Sequence, residues 1–421
     1  MVSDKTKGFR DHPPSEAATK QRIKDTVRDH AERYGYQPLE TPVIEHQDLL
    51  TSKFTGGEEI LKEMYTLTDR GERALGLRYD LTVPFARFVA EHPELKKPFK
   101  RYQSGTVYRD GPIKHGRYRA FEQFDLDIVG SESRVFDAEL ITIIDAVLSD
   151  LDIPHRIEVN TRGLLEAVIG HVGIPDDKVD TVILTIDKYE KIGRDGVEDE
   201  LGEKGFDDTT IQGLLETLHT EGGNEERIDH FETYGDIDSL KTVHEFLDAS
   251  DVSHTINPYL ARGLTYYTGT VFEAFPTTSF DRSIAAGGRY DSMVADLSEH
   301  HDSLPGVGAS FGVDTLLDCM DDQASTRDDA LYVVPMMNVE DILPKAQAIR
   351  GQSVNTMLGD PERSFSKHME YADKEGFGYL LVIGSDEQET GEYTIKHLKS
   401  GTERTAELDG VANAINELEQ I

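Results

Sequence analysis

Apolar residues recur along this chain at two spacings, and the switches between them mark its elements. Behind Ser15, placed to cap a helix, Ile23, Val27, Ala31 and Tyr34 follow at helical intervals, and Gly35 closes the run. Residues 35–45, GYQPLETPVIE, read as extended, with Leu39, Val43 and Ile44 interrupted by Pro38 and Pro42; proline inside a strand places it at an edge or a bend. Residues 65–90 predict a short hairpin and a turn into a helix, with Thr82 as N-cap, Pro84 in its first turn, and Phe85, Phe88 and Val89 behind it. Asp80 and Thr82, two apart, share a face of the incoming strand. They read equally as a capping threonine beside a solvated aspartate or as part of a ligand site.

Residues 102–109 then read as a strand, residues 110–116 as a loop with Gly and Pro, and residues 119–129 as a second strand. On that strand Phe124, Leu126 and Ile128 share one face, and Gln123, Asp125 and Asp127 the other. An amphipathic helix over 135–151 and a strand over 155–160 follow. From about 172 to 254 the texture changes to helical pieces (188–192, 210–217, 238–247) between Gly- and acid-rich turns such as IGRDGVEDELGEKGFDD, which predicts a small helical insertion. Strand patterns resume in TINPYLARGLTYYTGTVFEAF and SIAAGGRYDSMV. In LPGVGASFGVDTLLDCM, Gly306, Gly308 and Gly312 are spaced GxGxxxG with no βαβ unit around them. They predict close packing of a helix start against a sheet rather than a dinucleotide site. After the polar linker 321–329, strands over 330–334, 354–358, 379–383 and 393–396 alternate with helices, one of them over 365–375. A terminal helix completes a compact α/β domain with a mostly parallel core.

Charge changes this picture in two ways. The chain of 421 residues carries 80 Asp and Glu against 44 Lys and Arg, a formal net charge of −36. The acids are spread through periodic segments, so they read as a surface coat of the kind suited to molar salt, where a Debye length of ~3 Å screens self-repulsion, rather than as disorder. Against that coat, residues 100–119 gather Lys100, Arg101, Arg109, Lys114, Arg117 and Arg119 around a single acid, Asp110. Such a local reversal predicts an anion near the hairpin loop, with a small polar or cationic molecule beside the amide and carboxylates further down.

A single cysteine, Cys319, excludes an internal disulfide and fits a reducing cytosol; after a helix and without a motif it reads as a buried structural thiol. The 15 histidines form no HExxH and have no cysteine partner, so no metal site is expected. Neither an apolar signal core nor an apolar run approaching about 18 residues is present, so a soluble, cytoplasmic protein with no membrane association is expected.

With these pieces in place the sequence resembles the histidyl-tRNA synthetases, a family of class II aminoacyl-tRNA synthetases, along nearly its whole length. Residues 35–45 resemble class II motif 1, residues 107–130 motif 2, and residues 306–317 motif 3. The segments Arg262-Gly-Leu-Thr-Tyr-Tyr267 and Gly287-Gly-Arg-Tyr-Asp291 resemble the two histidine-specific signatures. The resemblance implies an α+β fold: a six-stranded antiparallel catalytic sheet flanked by helices, a helical insertion, and a C-terminal α/β anticodon-binding domain. Its boundaries would be catalytic core 1–171 and 255–320, insertion 172–254, linker 321–329 and anticodon-binding domain 330–421. It further implies a homodimer through motif 1, with L-histidine, ATP, Mg²⁺ and tRNA(His) as substrates and partners.

Activation is attack by a carboxylate on the α-phosphorus of ATP, so the site must supply alignment and positive charge rather than a side-chain nucleophile. By resemblance Arg109 and Arg262 hold the reacting groups, Phe121 stacks on adenine, and Arg117 lies near the phosphates. Asp80, Thr82 and Gln123 hold the substrate ammonium, Asp127 and Tyr267 bond the imidazole, and Tyr266 joins the histidine site. In two places the chain departs from the family pattern. Thr315 stands where motif 3 usually has an arginine for the ATP γ-phosphate, and Gly111, beside Asp110, where motif 2 usually has an acid. The first departure leaves a rival reading, a catalytically silent relative acting as regulatory subunit of ATP phosphoribosyltransferase. The Arg262 signature, the complete motif 2 and the C-terminal domain count against it. Contacts to tRNA are expected from residues 100–119 and from Lys367, His368 and Lys374 on a C-terminal helix.

Overall fold

The computed structural model describes residues 5–52, 61–113, 116–261, 266–278, 280, 282–298, 303–320 and 327–420. The chain divides into two compact units, one of residues 1–11 and 20–321, the other of residues 12–19 and 322–421.

The first unit is organised on a sheet of eight strands. In chain order these are β1 (Gln37–Pro38), β5 (Phe99–Tyr108), β6 (Ala120–Val129), β7 (His155–Thr161), β8 (Thr255–Ile256), β9 (Thr270–Pro276), β10 (Ala285–Arg289) and β11 (Gly306–Gly312). A three-stranded sheet of β2 (Ile44–His46), β3 (Thr66–Thr68) and β4 (Ala74–Leu77) accounts for the intervening numbers. The spatial order of the large sheet is β1-β5-β6-β11-β10-β9-β7-β8. Its inner six strands are antiparallel throughout, and the two-residue strands β1 and β8 pair in parallel at either edge. The expected six-stranded antiparallel sheet is therefore present, with an added strand on each side.

The alternation on β6 sorts as its sequence predicts. Phe124, Leu126 and Ile128 are buried against the helix Val135–Asp150, whose Leu140, Ile141, Ile144 and Val147 lie in the same core. Each such fully buried aliphatic side chain contributes about 1.5–3 kcal/mol. The first helix runs from Pro14 to Arg33, so Ser15 lies inside it rather than at its cap; its carbonyl accepts from Thr19 Oγ1. Ile23, Val27 and Ala31 are fully buried, but Tyr34 is 36% exposed and Tyr36, past the turn at Gly35, takes the inner place. Residues 192–208, expected as turns, mostly belong to the helix Tyr189–Glu203, interrupted at Gly193 (φ 70°). Val197 and Leu201, four apart among acids, are its buried stripe. Two apolar positions in that background gave too little periodicity to read.

The second unit holds a five-stranded sheet, β13-β12-β14-β15-β16, from β12 (Leu331–Pro335), β13 (Thr356–Leu358), β14 (Tyr379–Ile383), β15 (Glu392–His397) and β16 (Glu403–Glu407). The first three pair in parallel and the last two antiparallel. Strand β16 was not expected: its sequence, ERTAE, is solvent-facing and has no apolar residue beyond Ala406. Among the described residues no helix is long and apolar enough to cross a membrane.

Candidate active site

One face of the central antiparallel strands floors a cavity of about 330 Å³. Asp80, Thr82, Arg109, Phe121, Gln123, Asp127, Tyr266 and Tyr267, eight of the expected site residues, all line it. Arg117 lines an adjoining cavity that shares Arg109 and Phe121. Arg262 and Lys114 lie outside the described residues.

Strand β6 supplies the floor. Gln123, Asp125 and Asp127 point the same way because they are two apart. Each carries a buried oxygen, Gln123 Oε1, Asp125 Oδ1 and Asp127 Oδ2, with no hydrogen bond among the described residues. A buried acceptor left unpaired costs about 1–3 kcal/mol. Gln123 Oε1 and Asp125 Oδ1, neighbours along a cavity wall, therefore describe a surface that waits for donors. Their other atoms are held: Gln123 Nε2 donates to Ser310 Oγ at 2.9 Å, and Asp127 Oδ1 accepts from Tyr290 Oη. Asp127 Oδ2 lies 2.6 Å from Arg101 Nη2 as an ion pair, and both side chains are almost completely buried. Burial pushes the Asp125 carboxyl up to about 7 and Asp80 up to about 6, and raises Asp127 as well, with Arg101 opposing the shift at Asp125 and Asp127.

The opposite strands leave room because they carry glycine. A Cβ on Gly308 would meet Asp127 Oδ1 at 2.1 Å, and one on Gly288 would meet the Tyr267 ring at 2.7 Å. The glycines of β11 thus open the cavity over β6. Gly306, against Tyr290, and Gly308 lie within the strand and seat no helix start, whereas Gly312 does so as expected: it is the N-cap of the helix Val313–Cys319, and a Cβ there would meet Thr315 Oγ1 at 2.8 Å.

At the other end Arg109 follows β5. Its Nε donates to the carbonyl of Tyr79 at 3.0 Å, and its guanidinium sits 5.2 Å from the Phe121 ring centre. Burial lowers its pKa while Asp80 supports its charge. Asp80 Oδ1 accepts from Val83 N at 3.1 Å, so Asp80 bonds the first turn of the helix Thr82–Glu91 from one residue before its N-cap, Leu81; Thr82, expected as the cap, is instead the first helical residue. Asp80 also belongs to no strand, since β4 ends at Leu77.

The basic stretch proves largely neutralised. Lys100 binds Glu139 at 2.7 Å, Arg101 binds Asp127, Arg117 binds Glu63 at 2.6 Å, and Arg119 binds Asp110 at 2.9 Å. Arg101 in particular is fully buried and faces no anion from outside. His368 is fully buried as well, its ring Nδ1 2.8 Å from Tyr332 Oη, so it cannot meet a nucleic acid as expected; Lys367 and Lys374 are exposed. Cys319 is half-buried at the end of the helix Val313–Cys319 rather than enclosed.

Sequence reasoning missed two things here. Tyr290 and Arg101 form, with Asp127, a buried polar triad beneath the cavity. Arg289 is a brace, fully buried and paired with buried Asp137, and it also donates to the carbonyl of Ser131 at 3.0 Å. The GGRYD segment offered a signal for both, but only the fold shows which of its side chains reaches the site.

The sequence profile described as Histidyl-tRNA synthetase matches residues 8–316, and one described as Anticodon binding domain matches residues 331–418. A protein of Bacillus cereus named histidine–tRNA ligase 1 is 39% identical over 415 residues, covering 96% of this chain and 97% of its own. One of Shouchella clausii named histidine–tRNA ligase 2 is 36% identical, over 94% of this chain and 96% of its own. Among solved structures, the histidyl-tRNA synthetase of Nostoc sp. PCC 7120 superposes with a TM-score of 0.86 at 27% identity, covering 100% of this chain and 99% of that one.

Proposed function

Since the chain belongs to the histidyl-tRNA synthetase family, we propose that it activates L-histidine with ATP and transfers the histidyl group to tRNA(His). The observation that carries this reading is the β6 row of Gln123, Asp125 and Asp127, in which Gln123 Oε1 and Asp125 Oδ1 have no hydrogen bond among the described residues, ending at an arginine and an aromatic ring in one cavity. Histidine is a small molecule rich in donors, with an ammonium at one end and a ring N–H at the other. Gln123 Oε1, Asp80 and Thr82 receive the ammonium; Asp127, with Tyr267 and Tyr266 beside it, receives the imidazole. A site that bonds both ends rejects apolar isosteres by on the order of 10⁴.

A carboxylate oxygen of histidine attacks the α-phosphorus, and the bond to the bridging oxygen of pyrophosphate breaks. Arg109 and Arg262 hold the α-phosphate and the reacting carboxylate, Phe121 stacks on adenine, and Arg117 lies along the phosphates. In the second step the terminal ribose hydroxyl of tRNA attacks the adenylate carbonyl and AMP leaves. Bound with ATP, Mg²⁺ would supply neutralising charge at the phosphates. The chain suits an ion held mainly by phosphate and water, since the cavity carboxylates Asp80 and Asp127 already accept from protein donors.

The chain acts as a cytoplasmic homodimer, a reading supported by exposed Val43 (40%) and Ile44 (45%) in the motif 1 segment. Its acidic coat suits molar salt. ATP–pyrophosphate exchange at high salt, with each amino acid in turn, tests the proposal: exchange with histidine alone is expected. Absence of exchange with any would favour a regulatory subunit of ATP phosphoribosyltransferase, the reading that Thr315 keeps open.

A further inference from the structure

Beside the main cavity lies a second, of about 220 Å³, lined by Arg109, Arg117, Phe121, Arg282, Asp314 and Thr315 among others. The two share Arg109, Phe121 and Thr315, so one elongated ligand can occupy both. Three guanidinium groups converge here, and they are not equivalent. Arg109 is held by the Tyr79 carbonyl and lies beside the Phe121 ring; Arg117 is paired with Glu63. Half-buried Arg282 makes no hydrogen bond or ion pair among the described residues.

The acid in this cavity does not claim Arg282. Asp314 Oδ1 accepts from Arg10 Nη2 at 2.9 Å, and Oδ2 lies 3.1 Å from Lys20 Nζ and accepts from Glu122 N at 2.7 Å. Burial alone would raise this carboxyl, but Lys20, the Glu122 N–H and Arg10 hold it below its ordinary value. Thr315 offers a hydroxyl and no charge. The loop opposite packs against Arg282 at Gly116, whose φ of +71° favours glycine and whose Cβ position lies 3.5 Å from Arg282 Cδ, in ordinary contact. The cavity is thus a cationic pocket next to an aromatic ring, with one arginine uncommitted.

We propose that Arg282 binds the terminal phosphate of ATP, supplying the cation that Thr315 cannot. The inference rests on the nucleotide reading of the site. With adenine on Phe121 and the α-phosphate at Arg109, the β- and γ-phosphates run into the second cavity. There the Arg282 fork of donors, without an ion pair among the described residues, meets a dianionic group beside Arg117, whose own charge is already shared with Glu63.

The test is equilibrium binding of ATP and of AMP to the full chain, together with histidine-dependent exchange kinetics. Arg282→Ala should raise the ATP dissociation constant and KM by about tenfold or more, one charge-assisted contact, and leave AMP binding and the KM for histidine unchanged. Arg282→Lys should recover part of the loss. Thr315→Arg placed in the Arg282→Ala background should recover more, since it returns a guanidinium to the same pocket. An ATP affinity within twofold of wild type in Arg282→Ala overturns the proposal, as does an equal loss for ATP, AMP and histidine, which would mean a disturbed fold. If the unmodified chain performs no histidine exchange, the synthetase reading falls, and the ATP and AMP binding constants still decide this one.

Discussion

The two ends of the active cavity are built on different physical plans. At the Asp127 end, charge is buried and held in place: Arg101, Asp127 and Tyr290 lock one another at the floor, where Asp127 and Tyr290 line the cavity and Arg101 lies fully buried behind them. At the Arg109 end the cations are looser. Arg109 leans on a carbonyl and a ring, Arg117 reaches a partly exposed acid, and Arg282 has no ionic partner among the described residues. An end that must distinguish one small molecule needs fixed acceptors, whose position costs nothing at the moment of binding. An end that must follow a triphosphate as it separates into pyrophosphate needs donors that can move with it.

This contrast is most easily broken at its rigid end. Asp127→Asn keeps the shape but strands the Arg101 charge, and losing one partner of a buried pair costs roughly 3–5 kcal/mol. The denaturant midpoint should fall accordingly, with Tyr290→Phe milder at about 1–3 kcal/mol. A midpoint unchanged in Asp127→Asn would mean that Arg101 is hydrated and the floor is not rigid. At the loose end, Arg109→Ala should leave stability nearly untouched but lower the activation rate by about 10²–10³-fold, the usual loss on removing a donor aimed at developing charge. Single-turnover adenylate formation measures it. If instead the KM for histidine alone rises, Arg109 belongs to the other end.

How far could this division be read from the residues? The alternation over residues 119–129 announced which side of β6 faces the ligand, because a period of two is a geometric property of any strand. The cluster of basic residues announced an anion, and there the sequence misled. Whether Arg101 serves a ligand or the fold depends on its register against β6. In the hairpin Arg101 stands directly opposite Asp127, and Lys100 bonds Glu139 on a helix. A list of charges does not contain its own pairings. The same limit hid the roles of Gly288 and Gly308, whose meaning is the space they leave for side chains on other strands. Arg282 was invisible for a further reason: an arginine in a connecting loop has no periodicity, and its value arises from a cavity assembled by residues far apart in sequence.

A smaller effect sharpens the rigid end by pH. Asp125 titrates at about 7 in the folded chain, mainly because burial disfavours its charge, against an ordinary value of ~3.9 when unfolded. The fold therefore binds this proton more tightly than the unfolded chain does. The resulting stabilisation is complete below the unfolded value and is lost as pH rises through the folded one. Between pH ~4 and ~8 the wild type should lose stability relative to Asp125→Asn by up to about 4 kcal/mol, a difference that paired urea titrations at the two ends would read. Parallel curves would place Asp125 in contact with water or with a cation.

The smallest effect concerns the C-terminal unit, where exposure replaces burial as the deciding property. Lys367 and Lys374 are exposed on the helix Phe365–Lys374, while His368 between them is buried against Tyr332. If the helix meets tRNA, replacing both lysines by glutamine removes two phosphate contacts. The slope of log affinity against log salt should then fall by roughly 1 for each. That predicts a loss of several-fold at about 0.2 M salt that fades toward molar salt, where counterion release contributes little. His368→Gln should do the reverse, leaving tRNA affinity in place and lowering the stability of this unit by about 1–3 kcal/mol through the stranded tyrosine hydroxyl. A chain whose coat carries a net charge of −36 can bind a polyanion only where cations are presented locally. A salt slope unaffected by the two lysines would therefore move the tRNA contact to another face rather than to the charge of the molecule as a whole.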